Sequence, residues 1–489
     1  MFPGIGRTVA TIHTVFLLLT VGFAQNPPPQ ETNSHAFFPY QVKSKTLPNG
    51  FTVIVIPTRE FKDMVTYSTA VFAGSRNETE KGKTGLAHLF EHIMFRHEFG
   101  GKPDGYNDAI RRMGAYNNAW TDYDMTFYHP TTFTDNLIGP ISRPDGPVPG
   151  LIELEASRFK NLTMERKTFE VEAGAVLGEY RRVFSDPAEK MVEDFSPVAF
   201  PHHPYGHTVI GYAADVENMP NAWDSAWQFY HSYYAPNDVA VIAVGDVDAN
   251  KIFAEAEKRY SDWKPAKPPQ IPAEEPPAGP KQVHVKWEAD VSPRLIVGYR
   301  TPAMKPGSKE GAVTQILPEL LVSRSAPLFQ KLRYQKQTVT DFSILGGTEF
   351  VEASDPHLLL LDSELMLDRF RKDGDSYIGD VQKDVIAGVE DLKLFSRQPK
   401  AAETLRVIKS KFRNDFLAGL DSTGSIAQQF AWYYRFNRDL HVLDTLMQAV
   451  DSLTPQDVDA YAAQYFTPER RIVSTLWHDP NASGAPEVK

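Results

Sequence analysis

Cysteine is absent from all 489 residues, which excludes disulfides, thiolate metal ligands and a cysteine nucleophile. The fold must therefore rest on its apolar cores. Positive charge is also short: 51 Lys and Arg against 62 Asp and Glu leave a net charge of -11. That balance argues against a dedicated nucleic-acid binder, whose affinity comes from clustered cations neutralising phosphates. Beyond the first 25 residues no apolar run is long enough to cross about 30 Å of hydrocarbon.

What is present begins with MFPGIGRTVATIHTVFLLLTVGFAQ, in which Arg7, an apolar run from Val15 to Val21 and the small residues Gly22 and Ala24 read as a secretory signal peptide over residues 1–24. The expectation is an exported protein, periplasmic or secreted, with no stable membrane insertion after cleavage. No lipid-attachment cysteine follows the signal.

Length asks for two or more domains, and the chain marks where they divide. A polar, Pro-rich lead-in covers 25–40. Asn49-Gly50 between extended segments predicts a hairpin, and the period-two stretch from Met64 to Phe72 predicts a further strand. Seven prolines between Lys264 and Pro280 cannot sit in a helix or central strand. They set a linker over 264–281, between domains at 41–263 and 282–480, with a tail at 481–489. The two parts rhyme: Tyr233-Tyr234-Ala235-Pro236 and Tyr465-Phe466-Thr467-Pro468 each follow a helical pattern and precede a β-rich run. This predicts a duplicated α+β unit.

The chemistry concentrates in GLAHLFEHIMF, Gly85 to Phe95. On a helix, His88, Glu91 and His92 fall at i, i+3 and i+4 and share one face. Leu86, Leu89, Phe90, Ile93 and Met94 form the opposite, core-facing side, and Thr84 is the expected N-cap. Two imidazoles one turn apart suit Zn2+, and a catalytic site wants a third protein ligand with one position left open. MERKTFEVEAGAVLGEYRR supplies Glu165, Glu172 and Glu179 at seven-residue intervals. Seven residues of helix rise about 10 Å, so Glu172 and Glu179 cannot both bind one ion.

His88-Leu89-Phe90-Glu91-His92 with a distal helix carrying Glu172 and Glu179 resembles the inverzincins, the zinc metallopeptidases of the pitrilysin, insulin-degrading enzyme and mitochondrial processing peptidase family, in particular their short two-domain bacterial members. AGSRNETEKGKTGLAHLFEHIMF, GAYNNAWTDYDMTFY, HPYGHTVIGYAADVENM and YYAPNDVAVIAVGDVD resemble further segments of that family, and the second half resembles its degenerate repeat. The resemblance implies two related domains, each a mainly antiparallel sheet with helices on one face, folding towards one another as half of a clamshell around a closed chamber. It implies one Zn2+ per chain held by His88, His92 and Glu179. Glu91 would be general base for hydrolysis of short or unfolded peptides, and Glu172 would support the catalytic site without binding the ion. Asn118 and Ala119 match the family's substrate-edge strand, which binds an extended peptide by strand addition.

The sequence departs from that pattern in three places. Ninety-one positions separate His88 from Glu179, with GPISRPDGPVPG, Gly139 to Gly150, read as an inserted loop. Prolines in PHHPYGH deny His202, His203 and His207 a helical ligand spacing, so they read as a structural loop. In the second half Arg333 matches a substrate-holding arginine of the family, but Thr340 stands where the resemblance implies a tyrosine. The expected partners are therefore peptides and a second chain, as a homodimer or as a heterodimer with a metal-free paralogue that supplies what is missing. A catalytically silent binding or chaperone-like subunit is the alternative reading.

Overall fold

The computed structural model describes residues 30–31, 37–346, 350–479 and 487–488. The expected signal peptide lies outside them, as do most of the lead-in and the tail. No helix among the described residues is long and apolar enough to cross a membrane.

Two sheets organise the chain. The first contains β1 (Gln30–Glu31), β2 (Lys43–Thr46), β3 (Thr52–Pro57), β4 (Met64–Val71), β5 (Ala119–Thr121), β6 (Thr126–Tyr128), β7 (Thr131–Phe133) and β8 (Val239–Gly245). Its order is β1-β2-β3-β8-β4-β6-β5, with β7 also on β4. The second contains β9 (Lys281–Trp287), β10 (Arg294–Arg300), β11 (Val339–Ile344), β12 (Leu358–Leu365), β13 (Arg471–His478) and β14 (Glu487–Val488), in the order β11-β12-β10-β13-β9-β14. All pairings are antiparallel except β3 with β8 and β9 with β13. β1 and β14 fall in the expected lead-in and tail, so both segments extend the sheets.

The Asn49-Gly50 turn joins β2 to β3. Gly50 has φ 92, a left-handed value that suits glycine, and the Asn49 amide donates to the carbonyls of Tyr260 and Trp263. The duplication is visible in the strands that follow each Tyr-aromatic-x-Pro. Helix Trp223–Tyr233 leads through a short 3-10 turn into β8, and helix Pro455–Tyr465 leads through another into β13. Both strands have one parallel and one antiparallel neighbour. Between Trp263 and Lys281 no helix or strand forms, as the prolines require.

The two halves form the expected pair of related α+β units, and each lends a helix to the other's sheet. Thr423–Asn437, from the second half, packs on β4 and β8 of the first sheet. Its Ile426, Ala427 and Phe430 share one core with Ile54, Ala70 and Ile242. Pro187–Ala199, from the first half, packs on β9 and β13 of the second sheet, placing Met191, Val192 and Phe195 against Val283, Val285 and Leu476. A sheet that is apolar on both faces needs cover on both, which is why all seven residues of β8 are buried. The first sheet carries its own helices on one face and the borrowed helix on the other.

Candidate metal centre

The helix Leu86–Met94 buries Leu86, Leu89, Phe90, Ile93 and Met94, the side expected from the periodicity. Its N-terminus is not built as expected. Thr84 does not cap it: the Thr84 hydroxyl donates to Asp215 at 2.7 Å and accepts from the Tyr212 amide. Gly85 is the N-cap, with φ 84, and a Cβ there would lie 2.3 Å from the Ile210 carbonyl oxygen. The free amides of the first turn are met by Glu78, whose carboxylate accepts from Gly85 N and Ala87 N at 2.7 Å each. Burial pushes the Glu78 carboxyl up to about 8, against these hydrogen bonds.

On the polar face His88 and His92 stand with ring centroids 4.9 Å apart. The second helix, Arg166–Val183, crosses this face and brings in both glutamates. Glu179 Oε2 lies 3.5 Å from His88 Nε2 and 3.6 Å from His92 Nε2. The three residues offer ligand atoms that all lie within 4.8 Å of one another. Ligands about 2.05 Å from a tetrahedral Zn2+ are separated by about 3.3 Å, so this donor set fits that ion with small adjustments.

Glu172, one helical stretch away, does the other job: its Oε2 is 3.5 Å from His92 Nδ1, while its Oε1 accepts from Arg96 Nε at 2.8 Å. This contact lies on the Nδ1 side of the imidazole, whose Nε2 is on the side of Glu179. Glu165 is the N-cap of the same helix and takes no part. Burial, then the neighbouring His92, hold His88 down at about 4, so it is neutral and able to ligate near pH 7. The hydrogen bond that His92 gives to Glu172 raises His92. Burial works against the Glu172 charge, but its bonds to His92 and Arg96 outweigh it and hold the carboxyl below its ordinary value.

Glu91, between the histidines, is held by the Thr121 hydroxyl at 2.7 Å, and burial raises its carboxyl. Thr121 ends β5, the terminal strand of its sheet among the described residues. β5 pairs with β6 on one side only, Ala119 opposite Tyr128. The backbone edge next to Glu91 is thus open. Asn118 is exposed just before that strand and Ala119 is buried at its start. Arg333 is not brought to this site. It lies on a π-helical turn of the second half, and its guanidinium donates to the Val339 carbonyl. Thr340 also stays in the second sheet, bonded to the Glu364 carbonyl. His203 contacts Asp355, and His207 is buried beside Glu78. No second cluster of metal-ligand groups occurs among the described residues.

Sequence reading missed Glu78, Thr121 and Arg96. Glu78 lies eight residues before the helix, where no periodicity points to it, and Thr121 reads only as a strand residue.

A duplicated α/β chain whose first unit converges two histidines and a carboxylate, beside an unpaired sheet edge, has the layout of a metal-dependent hydrolase. Comparison with known proteins makes the family specific. Residues 53–211 match the family description "Insulinase (Peptidase family M16)" and residues 224–349 match "Peptidase M16 inactive domain". The chain belongs to the M16 peptidase family, whose curated members include zinc proteases. It is 26% identical over 438 residues to the zinc protease PqqE of Helicobacter pylori, spanning 87% of this chain and 90% of that one. It is 25% identical over 216 residues to a mitochondrial-processing peptidase subunit beta of Lentinula edodes, 44% of this chain and 43% of the other. Among solved structures, a Helicobacter pylori protease superposes with a TM-score of 0.75 at 26% identity, covering 89% of this chain and 99% of that chain.

If Glu172 orients His92, Glu172→Ala lowers zinc affinity by about 10- to 100-fold. Competition with a chromogenic chelator measures this, and an unchanged affinity would remove Glu172 from the site.

Proposed function

We propose that the chain is a zinc-dependent endopeptidase that cleaves short or unfolded peptides laid along β5. The observation that carries this reading is the meeting of His88, His92 and Glu179 within ligand range on the side of the helix where Glu91 faces the open strand. Zinc, when bound, supplies Lewis acidity for hydrolysis of the peptide bond. The chain supplies the rest. Glu91 accepts a proton at its carboxylate, and the Thr121 hydroxyl keeps that carboxylate turned towards the edge strand. The backbone of β5, led by Asn118 and Ala119, holds the substrate extended. Glu172 fixes the His92 tautomer through Nδ1.

The match to an inactive-domain description favours a second reading, a silent binding subunit. That match covers 224–349, whereas all four groups of the site lie between 88 and 179. The enzyme is therefore the reading the site supports. Because the two halves fill their mutual interface with exchanged helices, a closed chamber around β5 would be completed by a second chain, either a copy of this one or a metal-free paralogue. An exported location accords with the N-terminal apolar run.

Hydrolysis of a quenched-fluorescence peptide library by zinc-loaded protein tests the proposal. The expected result is cleavage that a chelator abolishes and zinc restores, with one zinc bound per chain. Protein that binds no zinc after careful loading, or cleavage indifferent to the chelator, would overturn it.

A further inference from the structure

Beside β5, on the side away from the histidine helix, lies a cavity of about 450 Å³ whose walls come from both halves of the chain. The first half contributes Trp120 and Thr121. The second contributes Glu352 and, from the borrowed helix, Gln428, Gln429 and Trp432. We propose that this cavity is a side-chain subsite that selects an aromatic residue of the peptide within two residues of the cleaved bond. The inference rests on the peptidase reading above and deepens it by naming a substrate class.

The position follows from strand geometry. Side chains alternate across a strand with period two. Thr121 faces Glu91, so Trp120 faces the opposite side, where its ring meets Trp432 at 5.8 Å between centroids. A peptide paired with β5 alternates in the same way. The residue lying across from Trp120 sends its side chain into the cavity, and its immediate neighbours face Glu91.

The chemistry of the walls sets the class. Trp120 and Trp432 present two indoles, fixed by hydrogen bonds from Trp120 Nε1 to Gln428 at 3.3 Å and from Trp432 Nε1 to Glu352. The Glu352 carboxylate also takes bonds from Gln315 and Tyr433, so its oxygens are already hydrogen-bonded to the cavity wall. Arg435, stacked on Trp432, is committed to Asp122, so an acidic side chain finds no free cation. The Gln429 side chain lines the cavity and makes no hydrogen bond among the described residues, so its amide can meet a phenol hydroxyl. Two aromatic faces with amide edges favour a phenyl or phenol ring in an offset or edge-on stack.

The test uses the zinc-loaded Glu91→Gln protein and peptide pairs that differ by Phe or Ala at one position, with binding read by calorimetry. The expected result is at least about tenfold tighter binding of the Phe member at one position near the cut site. Adding Trp432→Ala, or Gln429→Trp to fill the cavity without excavating the core, should reduce the ratio to about twofold or less. A melt by circular dichroism checks that each variant is folded, and Gln429→Trp carries the test if Trp432→Ala is not. A ratio that survives in a folded variant, or no aromatic preference at any position within two residues of the cut, overturns the subsite. If the library is cleaved without aromatic preference, the subsite falls and the peptidase reading stands. If nothing is cleaved, the peptidase reading falls, and the calorimetric ratio alone decides whether the cavity takes an aromatic side chain.

Discussion

Glu91→Gln keeps its zinc and loses about a thousandfold in kcat/KM on peptides. The amide has nearly the shape of the carboxylate, and its carbonyl oxygen can still accept from Thr121, so the helix and the ligand atoms of His88, His92 and Glu179 stay where they are. What disappears is the only carboxylate between the histidines that can accept a proton, and removal of a positioned general base costs about 10²- to 10⁴-fold. Metal analysis and the quenched-peptide assay on the same sample separate the two effects. Zinc-loaded Glu91→Gln protein with full activity would take Glu91 out of its role. Loss of zinc along with activity would instead show that Glu91 holds the ion.

Much of this site is legible in the sequence because it is built from helices, and helical spacing transmits position over several residues. His88, Glu91 and His92 are forced onto one face, and the apolar residues between them must then face the core. The seven-residue interval between Glu172 and Glu179 states that one cannot do the other's work, and in the structure Glu179 lies against both Nε2 atoms while Glu172 lies against His92 Nδ1. Which helix meets which is another matter. Residues 88 and 179 come together because two helices cross over the sheet, and only the family resemblance carried that pairing.

The readings that failed were those where a local preference met a distant competitor. Thr84 is a good N-cap by type, but Asp215, 131 residues later, takes its hydroxyl, and Glu78 fills the vacancy. The Arg333 guanidinium donates from Nη1 to the Val339 carbonyl of its own half, a contact that no spacing in the sequence announces. The exchange of helices between the halves has no signature in periodicity. Thr423–Asn437 looks like any amphipathic helix, and the sheet it covers was completed some 180 residues earlier. The all-buried pattern of β8 was the available hint, since a strand apolar on both faces needs cover on both.

Arg435→Met should destabilise the chain by about 3–5 kcal/mol, the usual cost of leaving one member of a buried ion pair alone. Arg435 reaches across the domain interface to Asp122 at 3.0 Å, with both side chains only 2% exposed, and also donates to the Glu352 carbonyl. Asp122 in turn accepts from the amides of Asp124 and Met125, shaping the turn between β5 and β6. One guanidinium thus ties the β5–β6 turn of the first half to the second. The loss should depend on pH, and its sign can be worked out. Burial already lifts Asp122 to about 6, with Arg435 pulling it down. Without Arg435 the folded-state pKa climbs further. A carboxyl raised in the folded state adds stability that is complete below its unfolded value of about 3.9 and is lost as pH rises through the folded value. In the normal protein that loss is finished a little above pH 6, whereas in Arg435→Met it continues upward. Denaturant melts of the two proteins should therefore differ least near pH 5.5 and most near pH 8. A difference that is the same at both pH values would mean that Arg435 acts through packing on Trp432 and not through the charge of Asp122.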